Sequence, residues 1–176
     1  NPVTASLHTA SRVGECPMNE KSGLIFELID LPPEGVRICG QISFPELDIA
    51  EEARFSFPED MKYDLLLEPC GGNNVLLRGT LHAVMSILCD RCDRPGTLEL
   101  SIDDVCHSYE NAYGKVLDLT PDIREDILIT FPLKFLCCAD CKGLCVSCGQ
   151  NLNEGSCNCA AKPASSLGEE DPWREL

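Results

Sequence analysis

The chain carries 13 cysteines in 176 residues, and eight of them fall into close pairs: Cys89-x2-Cys92, Cys137-x3-Cys141, Cys145-x2-Cys148 and Cys157-x-Cys159. Zinc takes four ligands in a tetrahedron with each sulfur about 2.3 Å from the ion, and one tight Cys-x-x-Cys bend supplies two of the four. Four pairs therefore complete two sites. Gly149 follows Cys148 and lets the backbone turn with positive φ, which aims amides at the thiolates. Cys157 and Cys159 leave the same face of an extended segment, and the loop 150–155 has the length to return them to Cys145 and Cys148. The second set is then Cys89, Cys92, Cys137 and Cys141. Cys138-x2-Cys141 would make a tighter bend than Cys137-x3-Cys141, so Cys137 and Cys138 both stand as candidates. The expected cofactor is one or two Zn2+ ions in a structural role, because four thiolates leave no position open for water or substrate. An iron–sulfur cluster and disulfide or redox chemistry are the rival readings of the same pairs. Cys16, Cys39, Cys70 and Cys106 stand apart from any pair and read as core or surface thiols without function. An odd total of cysteines also fits poorly with a fully oxidised framework.

These pairs need a scaffold that brings residue 89 to residue 141. The run 75–89 alternates like one long strand, 90–96 is turn-like, and 97–105 alternates again. That pattern is a β-hairpin with Cys89 and Cys92 at its tip. Upstream, an apolar run over 24–31 stops at Pro32-Pro33, and Val36, Ile38 and Ile42 then alternate with Arg37 and Gln41, which predicts two early strands. The acidic segment 45–60 reads equally as a short helix or a loop. After Val116-Leu117-Asp118-Leu119, the stretch Thr120-Pro121-Asp122 has a capping residue, a proline at the first helical position and an acid in the first turn. Ile123, Ile127 and Leu128 would share one face of a short helix near 121–130, and Pro132 would end it. The expected fold is α+β and β-rich: an antiparallel sheet or partly closed barrel with a long hairpin, one or two short helices and a cysteine-rich C-terminal module. Residues 1–22 read as a flexible lead-in, 23–136 as the β-rich domain, 137–160 as the zinc-binding module packed on the hairpin tip, and 161–176 as a flexible acidic tail. Trp173 reads as a docking residue or a stray aromatic in that tail.

Composition excludes several function classes. With 14 basic and 29 acidic side chains the formal charge is −15, which repels phosphate backbones. The acids crowd 99–130, while 131–162 has Lys134, Lys142 and Lys162 against Asp140 and Glu154; any RNA contact is expected there. No run of about 18 apolar residues would span a bilayer. No phosphate-cradling loop, nucleotide fingerprint or zinc-protease motif is present. His82 reads as a plain strand residue, and His107 with Asp103 and Asp104, like Asp122, Glu125 and Asp126, reads as a solvated face. The chain is therefore expected to act without catalysis. The opening at Asn1, with Thr4, Ser6, Thr9, Ser11 and Arg12 and no acid before Glu15, is like the end of a transit peptide.

Six stretches in order carry a resemblance: Leu88-Cys89-Asp90-Arg91-Cys92, Val116-Leu117-Asp118-Leu119, Asp126-Ile127-Leu128, Phe131-Pro132-Leu133, Asp140-Cys141-Lys142-Gly143-Leu144-Cys145-Val146-Ser147-Cys148-Gly149-Gln150-Asn151-Leu152-Asn153, and Cys157-Asn158-Cys159. They resemble the YceD-like family, the large ribosomal RNA subunit accumulation protein family of bacteria and plant plastids. The likeness covers roughly residues 75–160, and its specific part is Gly-Leu-Cys-x-x-Cys-Gly-x-x-Leu-Asn. The resemblance implies a non-enzymatic role in accumulation of large-subunit rRNA and assembly of the large ribosomal subunit. The implied partners are the pre-ribosomal large subunit and ribosomal proteins, with rRNA reached indirectly and no membrane. It also places Cys137 at the motif position, with Cys138 as an extra. Some bacterial members lack the terminal cysteine array, which implies that the metal is a local staple. The cysteine-rich form resembles a plastid member, the bacterial cytoplasm being the alternative location. A zinc-binding thiol-redox or chaperone-like protein of the organelle is the rival function, and a transcriptional zinc adaptor is weakened by the missing basic stripe.

Overall fold

The structure, a computed structural model, describes residues 23–29 and 31–159. The lead-in, the transit-like opening, Cys16 and the acidic tail with Trp173 lie outside the described residues. Strands β1 (Ile25–Glu27), β2 (Val36–Ile42), β3 (Phe55–Ser56), β4 (Met61–Pro69), β5 (Val75–Leu88), β6 (Pro95–Tyr109) and β7 (Val116–Asp118) precede the helix α1 (Thr120–Ile129). The architecture is strand-rich and antiparallel, with open sheets and no closed barrel. β5 is its axis. One edge of β5 pairs with β6 along its length; the other pairs with β4 over its first part and with β3 near its end, and β2 lies outside β4. β1 and β7 form a separate two-stranded sheet.

The side-chain period of two explains which face is covered. In β4 the buried set is Met61, Tyr63, Leu65 and Leu67; in β5 it is Val75, Leu77, Leu81, Ala83, Met85 and Ile87. Phe26, Leu24, Leu28 and Leu119 bring the small sheet and the start of α1 into the same core. β6 breaks the simple alternation expected of it. Register slips between Gly79/Val105 and Leu81/Ile102, so Asp103 and Asp104 bulge opposite Thr80. Inward positions are even before the bulge (Leu98, Leu100, Ile102) and odd after it (Val105, His107, Tyr109). Gly79 sits where the strands close up: a Cβ there would lie 2.2 Å from the Asp64 carbonyl oxygen and 2.8 Å from Leu65 Cα. Only glycine fits that approach.

The bulge turns His107 and Tyr109 toward α1, and this corrects the reading of His107, Asp122 and Asp126 as a solvated face. Nε2 of His107 lies 2.7 Å from Oδ2 of Asp126, and the Tyr109 hydroxyl donates to Asp122. Burial, then the Asp122 hydrogen bond, pushes the Tyr109 phenol well above its usual range. Two further expectations are corrected in α1. Thr120 is not the cap; its amide is instead satisfied by the Asp118 carboxylate at 2.9 Å. Ile123 and Ile127 are buried, whereas Leu128 faces outward because the helix lies on the sheet along a narrow stripe. Segment 45–60 resolves into a 3-10 turn, Phe44–Leu47, locked by Ser43 donating to Glu46 through its amide and hydroxyl, followed by the short strand β3. Phe44, Phe55, Phe57 and Phe131 form one aromatic cluster, with Phe44 and Phe57 stacked at 3.5 Å. That cluster leads the chain beyond α1 back along the sheet toward the hairpin tip.

Candidate metal centre

The hairpin ends in a six-residue tip. Cys89 N donates to Arg94 O, Asp93 N donates to Cys89 O, and Asp93 takes the positive φ that closes the bend. Asp90 then clasps the returning chain: its amide donates to Phe135 O, and its carboxylate accepts from Phe135 N at 2.6 Å and from Arg54. The Phe135 ring packs against Gly96, where any Cβ would strike its Cζ at 2.6 Å. So fixed, residues 137–141 meet the tip.

Cys89, Cys92, Cys137 and Cys141 come together with all four sulfurs within 4.8 Å of one another. Cys89 and Cys141 sulfurs are 3.8 Å apart and those of Cys92 and Cys137 are 3.6 Å apart. A disulfide needs about 2.05 Å, whereas ligand arms of about 2.3 Å place the corners of a tetrahedron about 3.8 Å apart. The donor set fits a divalent ion. Cys89, Cys92 and Cys141 are buried, Cys137 is half-buried and Cys138 is exposed, its sulfur 3.9 Å from that of Cys137. Asn153 donates to the Cys141 sulfur at 3.3 Å while its own Oδ1 accepts from Lys142 N. Arg91 donates to Cys141 O, and its carbonyl accepts from Leu144 N.

A second group, Cys145, Cys148, Cys157 and Cys159, also has its sulfurs within 4.8 Å of one another. Here the bend is local. Gly149 N donates to Cys145 O, Ser147 N points at the Cys145 sulfur at 3.4 Å, Cys145 N donates to Gln150 O, and Leu144 bridges Asn151. Gly149 has φ of 73°, the conformation that makes glycine the favoured residue at that turn. Cys148 and Cys159 are exposed, Cys145 and Cys157 half-buried. An ion pair between Arg94 and Glu154 at 3.1 Å joins this loop to the hairpin tip.

The thiols show why a cation suits both groups. Burial opposes ionisation of Cys89, but amides of Cys137, Arg91 and Cys92 outweigh it and bring that thiol down to about 6. Burial likewise opposes ionisation of Cys141, which Asn153 and the Gly143 amide nevertheless hold low. Burial and the neighbouring sulfurs push Cys137 up. In the outer group, the amides of Ser147 and Cys148 bring Cys145 down to about 6, while Cys148 pushes Cys159 up to about 12. Four thiolates this close cannot all ionise unless positive charge sits among them. When bound, a zinc ion would supply that charge and cross-link its four residues.

The eight cysteines singled out in the sequence thus gather as two fours, while Cys70 and Cys106 are exposed free thiols. Cys39 departs from the expected free thiol and is disulfide-bonded; nothing in its spacing signalled this. Sequence reasoning gave no role to Asp90, Arg91, Arg94 and Asn153; Asp90, Arg91 and Asn153 entered only as part of the stretches that carry the resemblance, and Arg94 only by lying beside a cysteine bend.

The family model described as "Large ribosomal RNA subunit accumulation protein YceD" matches residues 108–176. Over that stretch the chain is similar to the YceD family. That match takes in the six cysteines from Cys137 onward among the eight and leaves Cys89 and Cys92 outside it. The maize protein named "Large ribosomal RNA subunit accumulation protein YCED homolog 1, chloroplastic" is 36% identical over 77 residues, 44% of this chain and 25% of its own length. The chain thus matches only a quarter of that relative. An uncharacterized protein of Mycobacterium leprae is 29% identical across 97% of this chain and 78% of its own length. Another, from Mycobacterium tuberculosis, is 26% identical across 98% and 84% respectively. No solved structure matches.

Proposed function

We propose that the protein serves accumulation of large-subunit rRNA and assembly of the large ribosomal subunit, by binding and without catalysis, in a plastid. The observation that carries this reading is the YceD match over 108–176, supported by the chloroplastic plant relative. In this reading Cys89, Cys92, Cys137 and Cys141 hold one Zn2+, and Cys145, Cys148, Cys157 and Cys159 hold a second. Both ions are structural staples: the first joins the β-rich domain, which ends near residue 136, to the cysteine-rich module after it, and the second closes a loop within that module. A formal charge of −15 favours docking on basic ribosomal proteins of a pre-ribosomal particle, with rRNA protected indirectly. Depleting the protein and measuring the ratio of large- to small-subunit rRNA tests the role: a fall in the ratio is expected, and an unchanged ratio overturns it. The rival reading, a zinc-binding thiol-redox or chaperone-like protein, predicts instead an unchanged rRNA ratio and thiols in the purified, reduced chain that react rapidly with disulfides.

A further inference from the structure

The deeper cysteine group has one open side. Cys89, Cys92 and Cys141 are buried beneath the hairpin tip, and only Cys137 is partly reached by solvent. Next to it stands a fifth thiol: the Cys138 sulfur is exposed and lies 3.9 Å from that of Cys137, close to the 3.8 Å between Cys89 and Cys141 and the 3.6 Å between Cys92 and Cys137. Cys138 also belongs to the tight bend, since Cys141 N donates to Cys138 O. A thiol at that distance, on the solvent side, needs only a side-chain rotation to reach the position Cys137 holds.

We propose that Cys138 is an exchange ligand of the deeper centre, replacing Cys137 and so providing the path by which the metal enters and leaves. The inference rests on the reading of the four buried cysteines as a metal site. In the exchange one metal–sulfur bond forms at Cys138 as another breaks at Cys137. Cys138 gives its proton to solvent, Cys137 takes one up, and no electrons change hands. Without such a neighbour, loss of the Cys137 bond leaves no second sulfur on the open side to take its place. With Cys138, ligand replacement proceeds in place, one sulfur at a time.

The test uses the full chain loaded with zinc under reducing conditions, as wild type and as C138S, C137S and the C137S/C138S double variant. Metal per chain and the rate of loss to a chromogenic chelator are read. The expectation is that C138S keeps as much metal as wild type but releases the deeper ion about tenfold more slowly, the scale on which a supporting side chain tunes a metal site. C137S is expected to keep the deeper ion, and the double variant to lose it. Release from C138S at the wild-type rate, or loss of the deeper ion from C137S as complete as from the double variant, overturns the proposal while leaving the metal site standing. A folded wild-type chain that takes up no zinc overturns the metal reading itself and this inference with it. Because Cys138 is exposed, C138S tests the point without disturbing the core.

Discussion

The two cysteine groups are chemically alike and mechanically different. The deeper one joins side chains far apart in sequence, with Cys92 and Cys137 separated by 45 positions and Cys89 and Cys141 by 52, and it lies under the tip of the longest hairpin. The outer one closes a bend between Cys145 and Cys159, and half of its thiols are exposed. By the chain-entropy estimate for cross-links, closing the 45-residue gap is worth about 4 kcal/mol, and closing the gap from Cys148 to Cys157 about 2.5 kcal/mol. With a metal bound in each, the deeper four sulfurs would tie distant parts of the fold together and the outer four would shape a surface loop.

The largest effect should come from cutting the first tie. C89S or C141S should cost on the order of 3–5 kcal/mol and release the cysteine-rich module from the hairpin, seen as a lower midpoint in denaturant and new protease sites after residue 136. A smaller effect should follow G79A, which touches no cysteine but drives a Cβ into the Asp64 carbonyl. It should destabilise the sheet by about 1–3 kcal/mol and weaken zinc at the deeper group alone, measured by competition with a chelator. Equal weakening at both groups would erase the contrast.

Acidity sharpens the contrast further. The Cys89 and Cys145 thiols are held near 6 in the fold, below the unfolded value of about 8.5. Their contribution to the metal-free fold is thus complete above that value and lost as pH falls through about 6. Cys159, pushed up to about 12, has the opposite sign: its contribution is present below about 8.5 and lost as pH rises through about 12. Denaturation of the metal-free chain should therefore show stability rising from about pH 6 to a maximum near pH 8.5 and declining above it. Zinc should remove the alkaline decline, since the thiols are then already ionised. The smallest effect is expected from C148S, which should remove the outer ion yet move the unfolding of the sheet by no more than about 0.5 kcal/mol.

Spacing made much of this visible in advance. Alternation over 75–89 announced β5, and Thr120-Pro121-Asp122 announced α1, because both signals are local. The grouping of the cysteines could be read because a knuckle and a Cys-x-Cys need only a short loop between them. The bulge at Asp103 and Asp104 could not, since an extra residue shows itself only against the partner strand. Its consequence, the turning of His107 and Tyr109 toward Asp126 and Asp122, was hidden with it. Burial was also illegible: nothing in Cys89-x2-Cys92 and Cys145-x2-Cys148 distinguishes a bend under Phe135 from one in solvent, because that difference is made by Asp90 clasping a segment 45 residues away.

Native mass spectrometry of the reduced chain during stepwise chelation, with thermal unfolding recorded at each metal count, addresses the claim most directly. Two zinc ions per chain are predicted, the first lost with the main transition unmoved and the second taking that transition with it. A chain that unfolds at the same temperature with two ions and with none would contradict it.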